Sequence, residues 1–148
     1  MRPLAALQAT LGGEHAAVWL YGLLGAQVSQ SREPKLFDAL SRAYDLHVRQ
    51  RDELTVTISD LGASPVASRV SYAPPNPART AAQQRAAALL VEQRLADLYG
   101  QQVESTTHAQ RRWAIAALDG CAVRQLTFGG APSDLPGMPV TPARPSSG

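Results

Sequence analysis

Apolar side chains recur every three or four residues along this chain, and the prolines fall between the stretches where they do so. The first stretch places Leu4, Leu7, Leu11, Val18, Tyr21, Gly25 and Val28 in one register, with Glu14 among them. That spacing lines one face of an α-helix and makes a bundle-type seam. Pro3 suits a first helical position, where its missing N–H costs nothing. The second stripe is Leu36, Leu40, Ala43, His47, Leu54, Ile58 and Leu61, with Tyr44 and Arg51 one step around the helix. Pro34 can open this helix and Gly62 can close it. The third stretch has no proline from Ala78 to Ala131 and is long enough for two helices. Asn76-Pro77 reads as a cap and first position, followed by a stripe of Leu89, Glu92, Ala96, Tyr99 and Val103. A break is expected near Ser105. Thr107 with Gln110 has the capping-box pattern, and the helix it would start buries Ala114, Leu118, Cys121, Ala122 and Leu126 before Gly129 ends it.

The pattern predicts an all-α fold of four long helices joined by short, long and short connections. Short turns make the first two helices antiparallel neighbours, and likewise the last two. The middle connection, about fifteen residues from Gly62 to Asn76, is long enough to run the length of a bundle. One such crossover between helices two and three is the ferritin-like arrangement; a connection that folds back gives an up-down-up-down bundle instead. Residues 1–129 are expected to form the bundle. Residues 130–148, rich in Pro, Ser and Gly, read as a weakly structured tail.

Composition narrows the function classes. The 148 residues fit one domain large enough to bury a core. Fourteen bases against twelve acids leave a net charge of +2 and no basic stripe, so no nucleic-acid partner is expected. A lone cysteine, Cys121, excludes an internal disulfide and a cysteine-based metal site. Glu14 and His15 interrupt the N-terminal apolar run before it resembles a signal segment, and no stretch of 18 apolar residues exists. The expectation is a cytoplasmic protein with no membrane partner.

The chemistry-bearing residues are those that interrupt the apolar seams. Glu14, His47 and Glu92 each fall near the middle of a helix, so the three can meet at one level of the bundle. A buried carboxylate costs several kcal/mol unless a cation, a metal or several donors answer it. Arg51 lies one turn beyond His47, and its fork of donors can hold two carboxylates. A buried polar cluster of Glu14, His47, Arg51 and Glu92, with Tyr44 or Tyr21 as a neutral partner, is one expectation. A metal held by Glu14, His47 and Glu92 is the other.

The segment from Leu7 to Gly22, LQATLGGEHAAVWLYG, resembles the first helix of the DUF4439 family, a ferritin-like group seen mainly in actinobacteria. The run from His47 to Leu54, HVRQRDEL, resembles that family's second-helix motif. Tyr72-Ala-Pro-Pro-Asn-Pro resembles its crossover, and Glu92 stands where its third helix carries a glutamate. The resemblance runs from Leu4 to about Gly129 and implies a ferritin-like bundle with no established activity. Ferritin-like dinuclear centres use a Glu on each of two helices and a Glu-x-x-His on each of the other two. Here helix two reads Tyr44-x-x-His47, and helix four has no Glu-x-x-His.

Three functions compete at this point. The first is a structural or binding module without a cofactor, expected to be a homodimer because Trp19, Leu20, Leu23 and Leu24 widen the apolar arc of helix one. The second is an oxidoreductase dependent on iron or manganese with a reduced ligand set. The third is a carrier of a small ligand, with Tyr72 and Pro74 of the crossover as its lid. No Gly-rich phosphate loop, hydrolase elbow or Ser/His/Asp triad is present.

Overall fold

The computed structural model describes residues 1–132, so most of the expected tail, 133–148, lies outside the described residues. Four helices account for the fold: α1 (Pro3–Gln27), α2 (Pro34–Asp60), α3 (Ala81–Ser105) and α4 (His108–Thr127). Pro3 and Pro34 each occupy the first helical turn. Gly62 and Gly129, at φ 76° and 91°, supply the left-handed residue just past the ends of α2 and α4, where a side chain would be strained.

Two helix starts differ from the sequence reading. α3 begins at Ala81, where the Thr80 side chain accepts from the Gln83 N–H at 3.2 Å. Asn76 instead holds a turn ahead of the helix: its amide donates to Gln83 O, and its oxygen accepts from the N–H of Ala78, a buried residue at φ 53°. The capping box at α4 does not form. Thr107 makes no capping bond, because the chain enters α4 through a sharp turn with His108 at φ 48°.

α1 and α3 run antiparallel, since Tyr21 meets Glu92 and Glu14 meets Tyr99. α1 therefore packs against both α2 and α3, while α2 and α3 lie diagonally and barely touch. That arrangement requires the crossover to travel the whole bundle, and it does so along α1. Gln8 takes Ser64 O and the Val66 N–H with its amide, His15 bonds Val66 O at 2.9 Å, and Trp19 packs on Tyr72 with ring centroids 5.9 Å apart. The fold is thus an all-α four-helix bundle with one long crossover, and the folding-back alternative is discarded.

The core forms two clusters. The larger joins Leu20, Tyr21 and Leu24 of α1 to Leu36 and Leu40 of α2, Leu95 and Tyr99 of α3, and Ala114 and Cys121 of α4. The smaller, at the far end, is Leu7, Leu11, Leu54 and Ile58. Gly13 lies where α1 approaches α3: a Cβ there would run against the ends of the Leu98 and Leu95 side chains. That close approach brings the neighbouring Glu14 within reach of α3. Among the described residues no helix is long and apolar enough to cross a membrane.

Candidate functional site

All four helices contribute to one buried polar cluster in the middle of the bundle. Glu14, His47 and Glu92 are fully buried. His47 stands between the two carboxylates, with Nδ1 2.8 Å from Glu14 Oε2 and Nε2 3.0 Å from Glu92 Oε1. Both ring nitrogens face carboxylate oxygens, which calls for two N–H donors and hence the imidazolium form. Tyr99 donates to Glu14 Oε1, and Tyr21 donates to Glu92 Oε1 at 2.6 Å. The Tyr21 ring also lies nearly flat on the imidazole, 13° from parallel at 5.2 Å, so its negative face meets the cation. From α4, Arg124 Nε comes within 2.9 Å of Glu92 Oε1, an ion pair whose N–H is not aligned as a hydrogen bond. Glu92 Oε1 thus meets three partners, and Oε2 has none among the described residues.

Two expected members are elsewhere. Arg51 turns away, pairing with its neighbour Asp52 at 2.7 Å, and its side chain is 30% exposed. Residue 51 is four beyond His47, but the seam of α2 turns toward Leu54 there, which leaves the Arg51 side chain part-exposed at the edge of the seam. Tyr44 is 38% exposed and covers Gly22 from outside. Arg124 stands in for Arg51, Tyr21 is the one of the two expected tyrosines that joins the cluster, and Tyr99 joins it from α3. The crossover residues Tyr72 and Pro74 are far from a lid: Tyr72 lies against Trp19, its hydroxyl accepts from the Arg69 N–H at 3.1 Å, and Pro74 is exposed. The wide apolar arc of α1 is also accounted for within the chain, because Leu20 and Leu24 are buried in the core and Trp19 lies beneath the crossover.

A family model described as a domain of unknown function, DUF4439, matches residues 6–140. The chain belongs to the DUF4439 family. Among solved structures, it is similar to a conserved hypothetical protein, rv2844, from Mycobacterium tuberculosis. The identity is 27% and the TM-score 0.78, over 85% of this chain and 87% of that one. No curated protein matches it. These likenesses carry a fold and a family, so the chemistry of this DUF4439 chain is read from its side chains.

The electrostatics follow from burial and charge pairing. Burial works against a charged imidazole, but the facing Glu14 and Glu92 carboxylates outweigh it and carry His47 from 6.5 to about 9. Burial likewise opposes ionisation of Glu92, yet the bond and charge of His47, with Arg124 and Tyr21, hold it below its ordinary 4.5. Burial and the nearby carboxylates push the hydroxyls of Tyr21 and Tyr99 well up, so both remain donors. Two carboxylates, one imidazolium and one guanidinium therefore sum to zero inside the core. Such a network is costly to half-break and holds four helices in one register.

Among the described residues no group of three or more His, Cys, Asp and Glu is placed to hold a metal ion. The geometry gives the reason: the imidazole separates the two carboxylates and spends both nitrogens on them, so no lone pairs converge on a common point.

Arg124 and Tyr99 are the cluster residues that the sequence reading missed. The inward stripe of α4 is Ala114, Ala117, Cys121 and Phe128, with Arg124 between the last two. Leu118 and Ala122 are only partly buried and Leu126 is 49% exposed, so the seam lies one step around from the expected one. The spacing 114, 117, 121, 124, 128 was present in the sequence as a signal. Cys121 beside it has its thiol pushed well up by burial and then by the Glu92 charge. Native protein at pH 8 is expected to resist alkylation by iodoacetamide that labels urea-unfolded chain fully. Rapid labelling of the native protein would mean that α4 opens from the core.

Proposed function

We propose that this chain is a ferritin-type bundle in which a charge-balanced Glu14–His47–Glu92–Arg124 cluster stands where a dinuclear metal centre would sit, and that it serves as a structural or binding module. The observation that supports this reading is His47, which offers both ring nitrogens to carboxylates and none to a metal. The fourth helix contributes a cation, Arg124, where a ferritin-like centre would need a carboxylate and a histidine. Iron or manganese does not fit this donor set.

The test is metal content against stability. Protein purified from cells supplemented with iron, manganese and zinc is expected to hold each metal far below one equivalent, with the same melting temperature after chelator. Stoichiometric iron or manganese whose removal lowers the melting temperature would replace this reading with the metal-dependent oxidoreductase.

The homodimer belongs to the same proposal and rests on α4. Its outer side leaves Ile115, Val123 and Leu126 exposed at 42%, 63% and 49%, with exposed Asp119 between the first two, and apolar groups on one side of a helix favour burial against a second copy. Light scattering across a wide concentration range is expected to report a dimer, and Val123→Glu to shift it toward monomer. A mass that stays monomeric throughout removes this part of the proposal.

A further inference from the structure

The fourth side of the bundle is open. α2 and α4 make almost no direct contact. At one end they are tied by the Trp113 indole N–H donating to Glu53. At the other a groove of about 390 Å³ separates them. Its apolar lining comes from half-buried Ala39 and Leu46 over buried Ala43 and Phe128, and its charge from Arg42, Arg49 and Arg124, with Asp45 the one acidic residue lining it. Arg42 and Arg49 are seven residues apart, two turns on the same face of α2, and both are exposed. Neither has an ion-pair partner among the described residues. Arg124 lies across from them with Nε turned inward to Glu92, while Nη1 lies beside Gly120 and Nη2 is 3.5 Å from the Cys121 sulfur. Three guanidinium groups around an apolar floor, two of them in no ion pair and with Asp45 alone between them, form an arrangement complementary to an anion carrying an apolar body.

We infer that this groove binds a small amphiphilic anion, a carboxylate or phosphate monoester whose head is held by Arg42 and Arg49 while its apolar body lies on Ala43, Leu46 and Phe128. The volume is at the small end of ordinary ligand pockets, about 300–1,000 Å³. Guanidinium forks match both head groups, and Arg is the side chain suited to either. Arg124 joins the groove to the buried cluster: an anion that draws its outer nitrogens outward loosens its hold on Glu92. The inference names a ligand class for the binding-module reading and rests on it; metal content tests that reading separately, and failure of the groove leaves the metal result untouched.

The experiment is titration calorimetry at pH 7 and low salt with four probes: octanoate, octyl phosphate, octanol and inorganic phosphate. One or both amphiphilic anions are expected to bind, and which of the two is tighter identifies the head group. Octanol and inorganic phosphate are each expected to bind at least about tenfold more weakly, since each lacks half of the complement. The double variant Arg42→Ala/Arg49→Ala, both sites being exposed and outside the cluster, is expected to keep the parent's melting temperature and lose about tenfold in affinity. No binding of either amphiphile at millimolar concentration overturns the inference. So does octanol binding as tightly as octanoate, or an affinity unchanged in the double variant.

Discussion

Glu92→Gln is expected to destabilise the fold by about 3–5 kcal/mol, the range for breaking a buried ion pair from one side. Glu92 Oε1 faces His47, Tyr21 and Arg124 together. Removing its charge leaves buried His47 and part-buried Arg124 against Glu14 alone. For a chain of this size that loss lowers the melting temperature by roughly 10 °C or more. Glu14→Gln should cost roughly 3 kcal/mol by the same argument, since it strands one face of the imidazolium. Replacing Glu92 and Arg124 together by Leu and Met should cost less than Glu92→Gln, because the second change removes the stranded cation. Urea denaturation with and without chelator measures all three. A loss under about 1 kcal/mol for Glu92→Gln, or one that chelator reproduces in the parent protein, would refute the charge-balanced cluster.

Stability is expected to fall by about 3 kcal/mol between pH 6 and pH 10 because of His47. Its folded pKa of about 9 lies above the ordinary 6.5. The contribution is fully present below pH 6.5, where folded and unfolded chains are both protonated, and is lost as pH rises through 9. Each unit of separation is worth about 1.4 kcal/mol, which sets the size of the fall. Glu92 acts with the opposite sign. Its pKa is depressed from 4.5, so its contribution is present above that value and is lost on acidification. Maximum stability from these two groups therefore lies between about pH 4.5 and 6.5. His47→Gln should be less stable at pH 6 and nearly flat toward pH 9. An equal alkaline slope in parent and variant would assign the loss to other groups.

The helices were legible because local chemistry fixes them. Pro3 and Pro34 start α1 and α2, Gly62 and Gly129 follow the ends of α2 and α4, and the three-and-four apolar spacing spans each element between. The less legible starts were those of α3 and α4, where several side chains compete for the same exposed N–H groups. Thr80 takes the role that Asn76 was expected to hold, and the turn at His108 leaves Thr107 without one. In Glu14, His47 and Glu92, burial was readable as polar residues in register with an apolar seam, at mid-helix.

The amino-acid sequence by itself determined four helices, the long connection between the second and third, and three polar side chains committed to the interior. Periodicity is a property of one helix at a time, so it carries that much. Which cation answers the carboxylates is a property of four helices at once, and only the tertiary structure decided it. Arg51, nearer to His47 in sequence, lies on the solvent side of α2, while Arg124 reaches Glu92 from α4 because the seam of that helix is rotated one step from its leucines. Only the packing of the four helices leaves α2 and α4 apart with a groove between them. Small residues set how closely helices approach, and their approach sets which charges meet.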